Sequence, residues 1–200
     1  MNDEVRQTKN FRSQIIENVR FVIFIALAVV IIRGFLIAPF KVFGESMDTT
    51  FQSGQYLFVE KLSTRFSTIK RGDVVVFVTP EESSKPFLVR KHLIKRIIGL
   101  PGETVHIKNN VVSITSNATT TILHEPYTRG LTLSPAGEDE YSRTLSADEY
   151  FVMGDNRENS RDSRYFGPIT RAEISGSPLV RLFPIASFGV YPGTYHTYEK

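Results

Sequence analysis

Gly72-Asp73-Val74-Val75-Val76-Phe77-Val78 opens on a turn pair and then runs without a polar residue to Thr79-Pro80. Glycine and aspartate favour a turn, consecutive β-branched residues favour extended backbone, and proline ends the run. The stretch reads as a buried strand leaving a turn. On both sides the same kind of short run recurs. Tyr56–Glu60 follows Ser53-Gly54 and reads as a strand, and Phe87–Ile98 is a longer strand candidate closed by Gly99-Leu100-Pro101-Gly102. A hairpin is expected through Thr104–Ile107 and Val111–Ile114 about Asn109-Asn110. Tyr150–Met153, then Ile174–Val180 followed by Phe183–Val190, supply the last strands. Beyond residue 40 there is no long amphipathic helix pattern and no internal repeat, so the fold class is mainly β.

One region differs in composition. Residues 113–146 carry Ser-Asn-Ala-Thr-Thr-Thr, Pro126, Gly130, Pro135-Ala136-Gly137 and an acidic cluster at Glu138-Asp139-Glu140. They read as an insertion on the core. Asn117-Ala118-Thr119 fits a glycosylation sequon, but an ordinary polar turn is the favoured reading of so short a match.

The amino-terminal end is of another kind. Residues 1–20 are polar and mixed in charge, with Arg6, Lys9, Arg12 and Arg20 against Asp3, Glu4 and Glu17, and read as a cytoplasmic leader. Phe21–Ile32 is apolar throughout, and after Arg33-Gly34 the apolar character resumes as Phe35–Phe40. Residues 21–40 are therefore expected to form one transmembrane helix of roughly 30 Å. Arg33 at mid-bilayer would cost about 2.5 to 3.5 kcal/mol, but near the far end its side chain snorkels to the headgroups. A cleavable signal peptide is the alternative; no small-x-small site follows the apolar core promptly. The basic residues before the span place the amino terminus in the cytoplasm and residues 41–200 on the opposite face.

Composition excludes several functions. With 41% apolar and 12% aromatic residues the chain can bury a core, and it is not disordered. A net charge of +3, from 24 basic against 21 acidic residues, is too small and dispersed for a nucleic-acid partner; it suits weak attraction to a lipid bilayer. Without cysteine there is neither a disulfide framework nor a cysteine zinc site. His92, His106, His124 and His196 lack metalloprotease spacing, so no metal is expected.

Gly44-Glu45-Ser46-Met47 lies just beyond the apolar segment, where a reactive serine would meet substrates at the membrane surface. Such a hydroxyl needs a base, most often a histidine held by a carboxylate, and His92 is the histidine inside a strong strand pattern. Alternation puts Arg90, His92 and Ile94 on one face and Lys91, Leu93, Lys95 and Ile97 on the other. Between Leu93 and Ile97, Lys95 would be desolvated and its pKa would fall from about 10.4, as a lysine base requires. Alternation alone favours a plainer reading, in which Lys91 and Lys95 are solvated on an edge strand and resist aggregation. Gly154-Asp155-Asn156-Arg157, with Ser160, Asp162, Ser163 and Arg164 after it, reads as a hydrogen-bonded brace in which Asp162 pairs with Arg164 or Arg157, or else as a solvated turn.

Four stretches in order resemble the conserved boxes of type I signal peptidases. They are Gly44–Met47, Gly72–Phe77, Lys95–Glu103 (Lys-Arg-Ile-Ile-Gly-Leu-Pro-Gly-Glu) and Gly154–Arg164 (Gly-Asp-Asn-Arg-Glu-Asn-Ser-Arg-Asp-Ser-Arg). The resemblance implies a signal-peptidase and SOS-repressor-protease-like β fold behind one N-terminal transmembrane helix. It also implies a membrane-bound serine protease with Ser46 as nucleophile and Lys95 as general base, and it reverses the solvated reading of Lys95. By position, Ser160 matches a serine that hydrogen-bonds the lysine amine, and Asp162 and Arg164 match a bracing ion pair. Val42, Met47, Leu93 and Ile94 match positions near the pockets for small residues before the cleaved bond. The Ser46 N–H would serve the oxyanion hole, and Gly44 stands where some members add a serine hydroxyl. No metal or organic cofactor is implied, and the partners are the signal peptides of exported preproteins and the lipid bilayer.

The family pattern Ser-Met-x-Pro-Thr-Leu reads Ser46-Met47-Asp48-Thr49-Thr50-Phe51 here. Loss of proline is expected to loosen φ at Thr49, and Phe51 to narrow a pocket, with activity retained. Two rival readings are a regulatory autoprotease of the same Ser/Lys class and an inactive membrane-tethered β domain that binds peptides. The apolar span and the lack of a helix-turn-helix pattern argue against the first, the intact dyad against the second.

Overall fold

The computed structural model describes residues 2–31, 36–86, 89–135 and 140–195. The chain divides into two compact units, Met1–Ala38 and Pro39–Lys200. The first holds helix α1 (Asn2–Ile31). From Phe21 to Val30 its side chains are exposed, with Ala28 half-exposed, so this part is apolar all round rather than on one stripe. Among the described residues no helix is long and apolar enough to cross a membrane. The apolar part of α1 rises about 16 Å, half of a bilayer core. Arg33 and Gly34 lie outside the described residues. Ile37–Phe40, expected to finish the helix, instead begins a strand, because Pro39 lacks an N–H and disfavours helical backbone at the residue before it.

The strands among the described residues are β1 (Ile37–Lys41), β2 (Tyr56–Glu60), β3 (Val74–Val78), β4 (His92–Gly99), β5 (Thr104–Lys108), β6 (Val111–Ser116), β7 (Thr119–Ile122), β8 (Glu140–Thr144), β9 (Glu149–Met153), β10 (Ile169–Thr170), β11 (Ile174–Phe183) and β12 (Gly189–Val190). One sheet has the order β1-β2-β11-β3-β4-β9-β10, with β12 beside β11; the other runs β7-β6-β5-β8. The fold is mainly β. The turn-led valine run is β3, buried at all five positions, and it pairs antiparallel with β4 in a register that sets Val75 opposite Lys95 and Val74 opposite Arg96. With β9 on its other side, β4 is an interior strand. Lys95 is therefore not on a solvated edge.

Two of the strand expectations shift. β4 begins at His92, with Phe87 and Leu88 outside the described residues. Phe183–Val190 is not one strand: β11 runs on to Phe183, Pro184 stops it, and a helical turn at Ile185–Ser187 precedes β12. Residues 113–146 include most of β6 with β7 and β8, the body of the second sheet. Asn109-Asn110 and Asn117-Ala118 both have left-handed φ and close two-residue hairpins, so the sequon forms the β6–β7 turn. Ile98, Phe151 and Met153 from the first sheet pack with Val105, Ile107, Val112, Ile114 and Leu145, joining the sheets over a dry cluster.

Candidate active site

Ser46 sits in a tight turn between β1 and β2. The Asp48 N–H donates to the Glu45 carbonyl at 2.9 Å and the Phe51 N–H to the Met47 carbonyl at 2.7 Å, while Met47 and Phe51 are buried in the cluster that also holds Val42, Leu57 and Ile94. Two apolar anchors thus fix the turn's far side. Asn156 fixes the near side: its N–H donates to the Ser46 carbonyl at 3.0 Å and its side-chain amide to the Glu45 carbonyl at 3.1 Å.

The structure brings Lys95 onto this turn. Its Nζ donates to Ser46 Oγ at 2.6 Å and to the Ile94 carbonyl at 3.1 Å, and the residue is 3% exposed. Burial lowers its pKa to about 8, against an opposing pull from Asp162 and Asp155 and with a smaller push from Arg164. An amine with that pKa is partly neutral near physiological pH, and in its neutral form it can accept the serine proton across the same contact. His92 lines the cleft nearby, and burial lowers its pKa too. The hydroxyl is nevertheless paired with lysine.

Ser160 differs from expectation. Its hydroxyl is buried without a hydrogen-bond partner, so the bond to the Lys95 amine is not formed; that amine donates to Ser46 and Ile94 instead. Ser160 still lies beside the turn, because a Cβ placed on Gly154 would come within 2.3 Å of Ser160 Oγ and 2.4 Å of the Ser46 carbonyl oxygen. Only glycine lets strand end, turn and serine meet there. Asp162 and Arg164 form a bidentate pair, Nε to Oδ1 at 2.8 Å and NH2 to Oδ2 at 2.9 Å, and Asp162 also accepts the Gly154 N–H.

Two further buried pairs went unread in the sequence. Arg96 is bidentate to Asp155 at 2.8 and 2.7 Å, and Arg157 pairs with Glu125 at 3.0 and 2.5 Å rather than with Asp162. Removing one member of such a pair typically costs about 3–5 kcal/mol, because a charge is left buried and alone. They hold the brace in one geometry. An arginine in the apolar β4 was the available signal, but nothing local names a partner 59 positions away.

Of the pocket residues, Leu93 and Ile94 line a cleft of about 500 Å³ with Phe40, Phe43 and Ser46. Val42 and Met47, each 1% exposed, belong to the core cluster that includes Ile94. Phe51 is fully buried there and lines neither that cleft nor the second one that reaches Ser46. A second cleft of about 360 Å³, edged by Glu81, Glu82, Lys91 and Arg161, also reaches Ser46 and Lys95. At Gly44, φ is 83°, a left-handed backbone that serine seldom adopts, which accounts for glycine at this position. Thr49 likewise has positive φ, 113°. The backbone there is not a loosened version of a proline turn; proline, fixed near −65°, does not fit it.

A serine hydroxyl in contact with a desolvated lysine, at the end of an apolar cleft on a β platform, is the equipment of a serine-nucleophile hydrolase. The family profile for signal peptidase, peptidase S26, matches residues 15–183. A signal peptidase I of Bacillus amyloliquefaciens is 35% identical over 192 residues, covering 92% of this chain and 96% of that protein. Signal peptidase I V of Bacillus subtilis (strain 168) is 38% identical over 155 residues, 72% of this chain and 85% of that one. A crystal structure of a signal peptidase I from Enterococcus faecalis V583 is 28% identical, with 56% of this chain and 97% of that one covered at a TM-score of 0.42. The chain belongs to the signal peptidase family, peptidase S26. It is a serine endopeptidase.

Proposed function

We propose that the protein removes signal peptides from exported preproteins, with Ser46 as nucleophile and Lys95 as general base. The observation that carries this reading is the 2.6 Å contact between Lys95 Nζ and Ser46 Oγ in a buried setting. Neutral Lys95 takes the hydroxyl proton as Ser46 attacks the scissile carbonyl, and the protonated amine then gives that proton to the leaving amine. Lys95, neutral again, draws a proton from the water that hydrolyses the acyl-enzyme. The Ser46 N–H faces the developing oxyanion. The apolar cleft takes the small residues before the bond, with Leu93 and Ile94 at its wall. Asp162 and Arg164 hold the brace behind Lys95, and the unpartnered Ser160 hydroxyl is available to steady the amine.

Incubation of the detergent-solubilised protein with a preprotein bearing small residues at the first and third positions before the cut is expected to yield the mature chain. Ser46→Ala should lose that activity by about 10⁴-fold or more while melting like the parent. Near-normal cleavage by Ser46→Ala would sink the assignment.

Family membership also bears on location. We infer that the apolar segment starting in α1 is a single-pass anchor in the cytoplasmic membrane, with residues 1–20 inside and the catalytic β domain, residues 41–200, outside. What supports this is the all-round apolar, exposed surface of Phe21–Val30, which only hydrocarbon or a packed core would cover, and the basic residues before it. An extracytoplasmic reporter fused after Lys200 is expected to be active, and an inactive one would overturn the topology.

A further inference from the structure

The turn that carries Ser46 holds Thr49 at φ 113°, and the structure supplies a separate support for that conformation. Three consecutive side chains tie the turn down. Asp48 Oδ2 accepts from Arg129 NH1 at 2.7 Å, the Thr49 hydroxyl donates to the Tyr127 carbonyl at 2.7 Å, and the Thr50 hydroxyl donates to Asp155 Oδ2 at 2.5 Å. The first of these is largely exposed and therefore weak, Arg129 being 63% open to solvent. The third belongs to the Arg96–Asp155 frame already described. The second, uncharged and so not screened by salt although Thr49 too is exposed, fastens a β-branched residue, held at φ 113°, to a segment 78 positions further on. L residues rarely occupy that region, and β-branched ones less often still, so the conformation persists only where its surroundings impose it.

The acceptor is well held. The Arg96 guanidinium lies 3.9 Å from the centre of the Tyr127 ring, and the Tyr127 hydroxyl donates to Glu125 Oε1 at 2.9 Å. Glu125 is in turn paired with the buried Arg157. Two residues on, the Arg129 N–H donates to the Asp155 carbonyl and the Arg129 carbonyl accepts the Arg157 N–H, both at 2.8 Å. The segment from Glu125 to Thr132, part of what the sequence presents as an insertion, is thus a strap sewn to the brace along its length, with Thr132 Oγ1 accepting from Arg157 at 2.9 Å.

We propose that Thr49 is a positioning residue for Ser46: its hydroxyl, donated to the Tyr127 carbonyl of this strap, holds the turn in a backbone shape that proline cannot adopt. This inference rests on Ser46 being the nucleophile, and the experiment separates the two.

Steady-state cleavage of a peptide spanning a signal-peptide junction is measured on the full chain and on Thr49→Ser, Thr49→Val, Thr49→Pro, Arg129→Ala and Ser46→Ala, each checked for cooperative melting. Thr49→Ser, which keeps the donor, should stay within about twofold, and so should Arg129→Ala, which removes only a screened pair. Thr49→Val, of equal shape without the donor, should lower kcat about fivefold with KM unchanged. Thr49→Pro should lower kcat further, since it excludes φ 113° and removes the N–H that donates to Asp48 Oδ1. A Thr49→Pro variant as active as the parent, or Val and Ser variants that behave alike, would overturn the proposal; if Thr49→Pro does not fold, the Val and Ser pair still decides. Cleavage by Ser46→Ala would instead defeat the nucleophile assignment on which it rests.

Discussion

Replacing Lys95 by methionine is expected to abolish cleavage and, at pH 7, to make the folded protein more stable. The amine is 3% exposed and its pKa falls from 10.5 to about 8. Below pH 8 the lysine is charged in both the folded and unfolded chains, and the folded state carries the whole penalty of a desolvated charge. As pH rises through 8 the folded protein sheds the proton first and the penalty fades; above 10.5 it is gone. The gap corresponds to roughly 3 kcal/mol. Methionine keeps the stem's volume without the charge, but leaves Ser46 Oγ and the Ile94 carbonyl without their donor. A net gain of about 2 kcal/mol remains at pH 7, read as a higher Tm; it shrinks as pH rises through 8 and becomes a small net loss by pH 10.5, where only the missing donor counts. By the same titration, kcat of the parent should climb with pH through about 8 as neutral lysine accumulates. A Lys95→Met variant destabilised at pH 7, or a flat pH profile, would show that the amine is not desolvated.

The second large effect is expected at Gly154, a buried residue packed against the Ser46 turn. An added Cβ would lie 2.4 Å from the Ser46 carbonyl oxygen and 2.3 Å from Ser160 Oγ. The Ser160 hydroxyl can rotate aside but its Cβ, 2.6 Å away, cannot, and the Ser46 carbonyl is backbone that is also bound by the Asn156 N–H. The turn must therefore retreat from β9. Gly154→Ala should lower stability by about 1–3 kcal/mol and kcat by at least about 10²-fold, because a displacement near 1 Å separates hydroxyl from amine. The folded fraction is followed by thermal melting and the chemistry by rate under saturating substrate. A variant that melts lower but turns over normally would mean that β9 yields instead of the turn.

Much of the platform was legible in the sequence because its signals are local. β2 and β3 begin and end where turn residues and β-branched runs placed them, and the Asn109-Asn110 hairpin follows from two residues that tolerate left-handed φ. What alternation misjudged was Lys95: whether β4 is an edge or an interior strand depends on β3 and β9 flanking it, which pairing decides and periodicity does not. The contact between Ser46 and Lys95 was reachable through the ordered boxes alone. The partners of Arg96 and Arg157, the tie from Thr49 to Tyr127 and the crowding at Gly154 are long-range consequences of closing the sheet. Pro39 was a local signal that the apolar pattern around it outweighed.

The Ser46 turn is completed by a segment more than a hundred positions away, with the Asn156 side chain reaching Glu45 across 111 positions and Thr50 reaching Asp155 across 105. Such separations are slow to close, since the chain loses loop entropy before the contact forms. No fragment ending before β9 and the brace contains both halves of this arrangement. The turn that sets Ser46 against Lys95 is therefore complete only after the chain as far as Asn156 has docked on it.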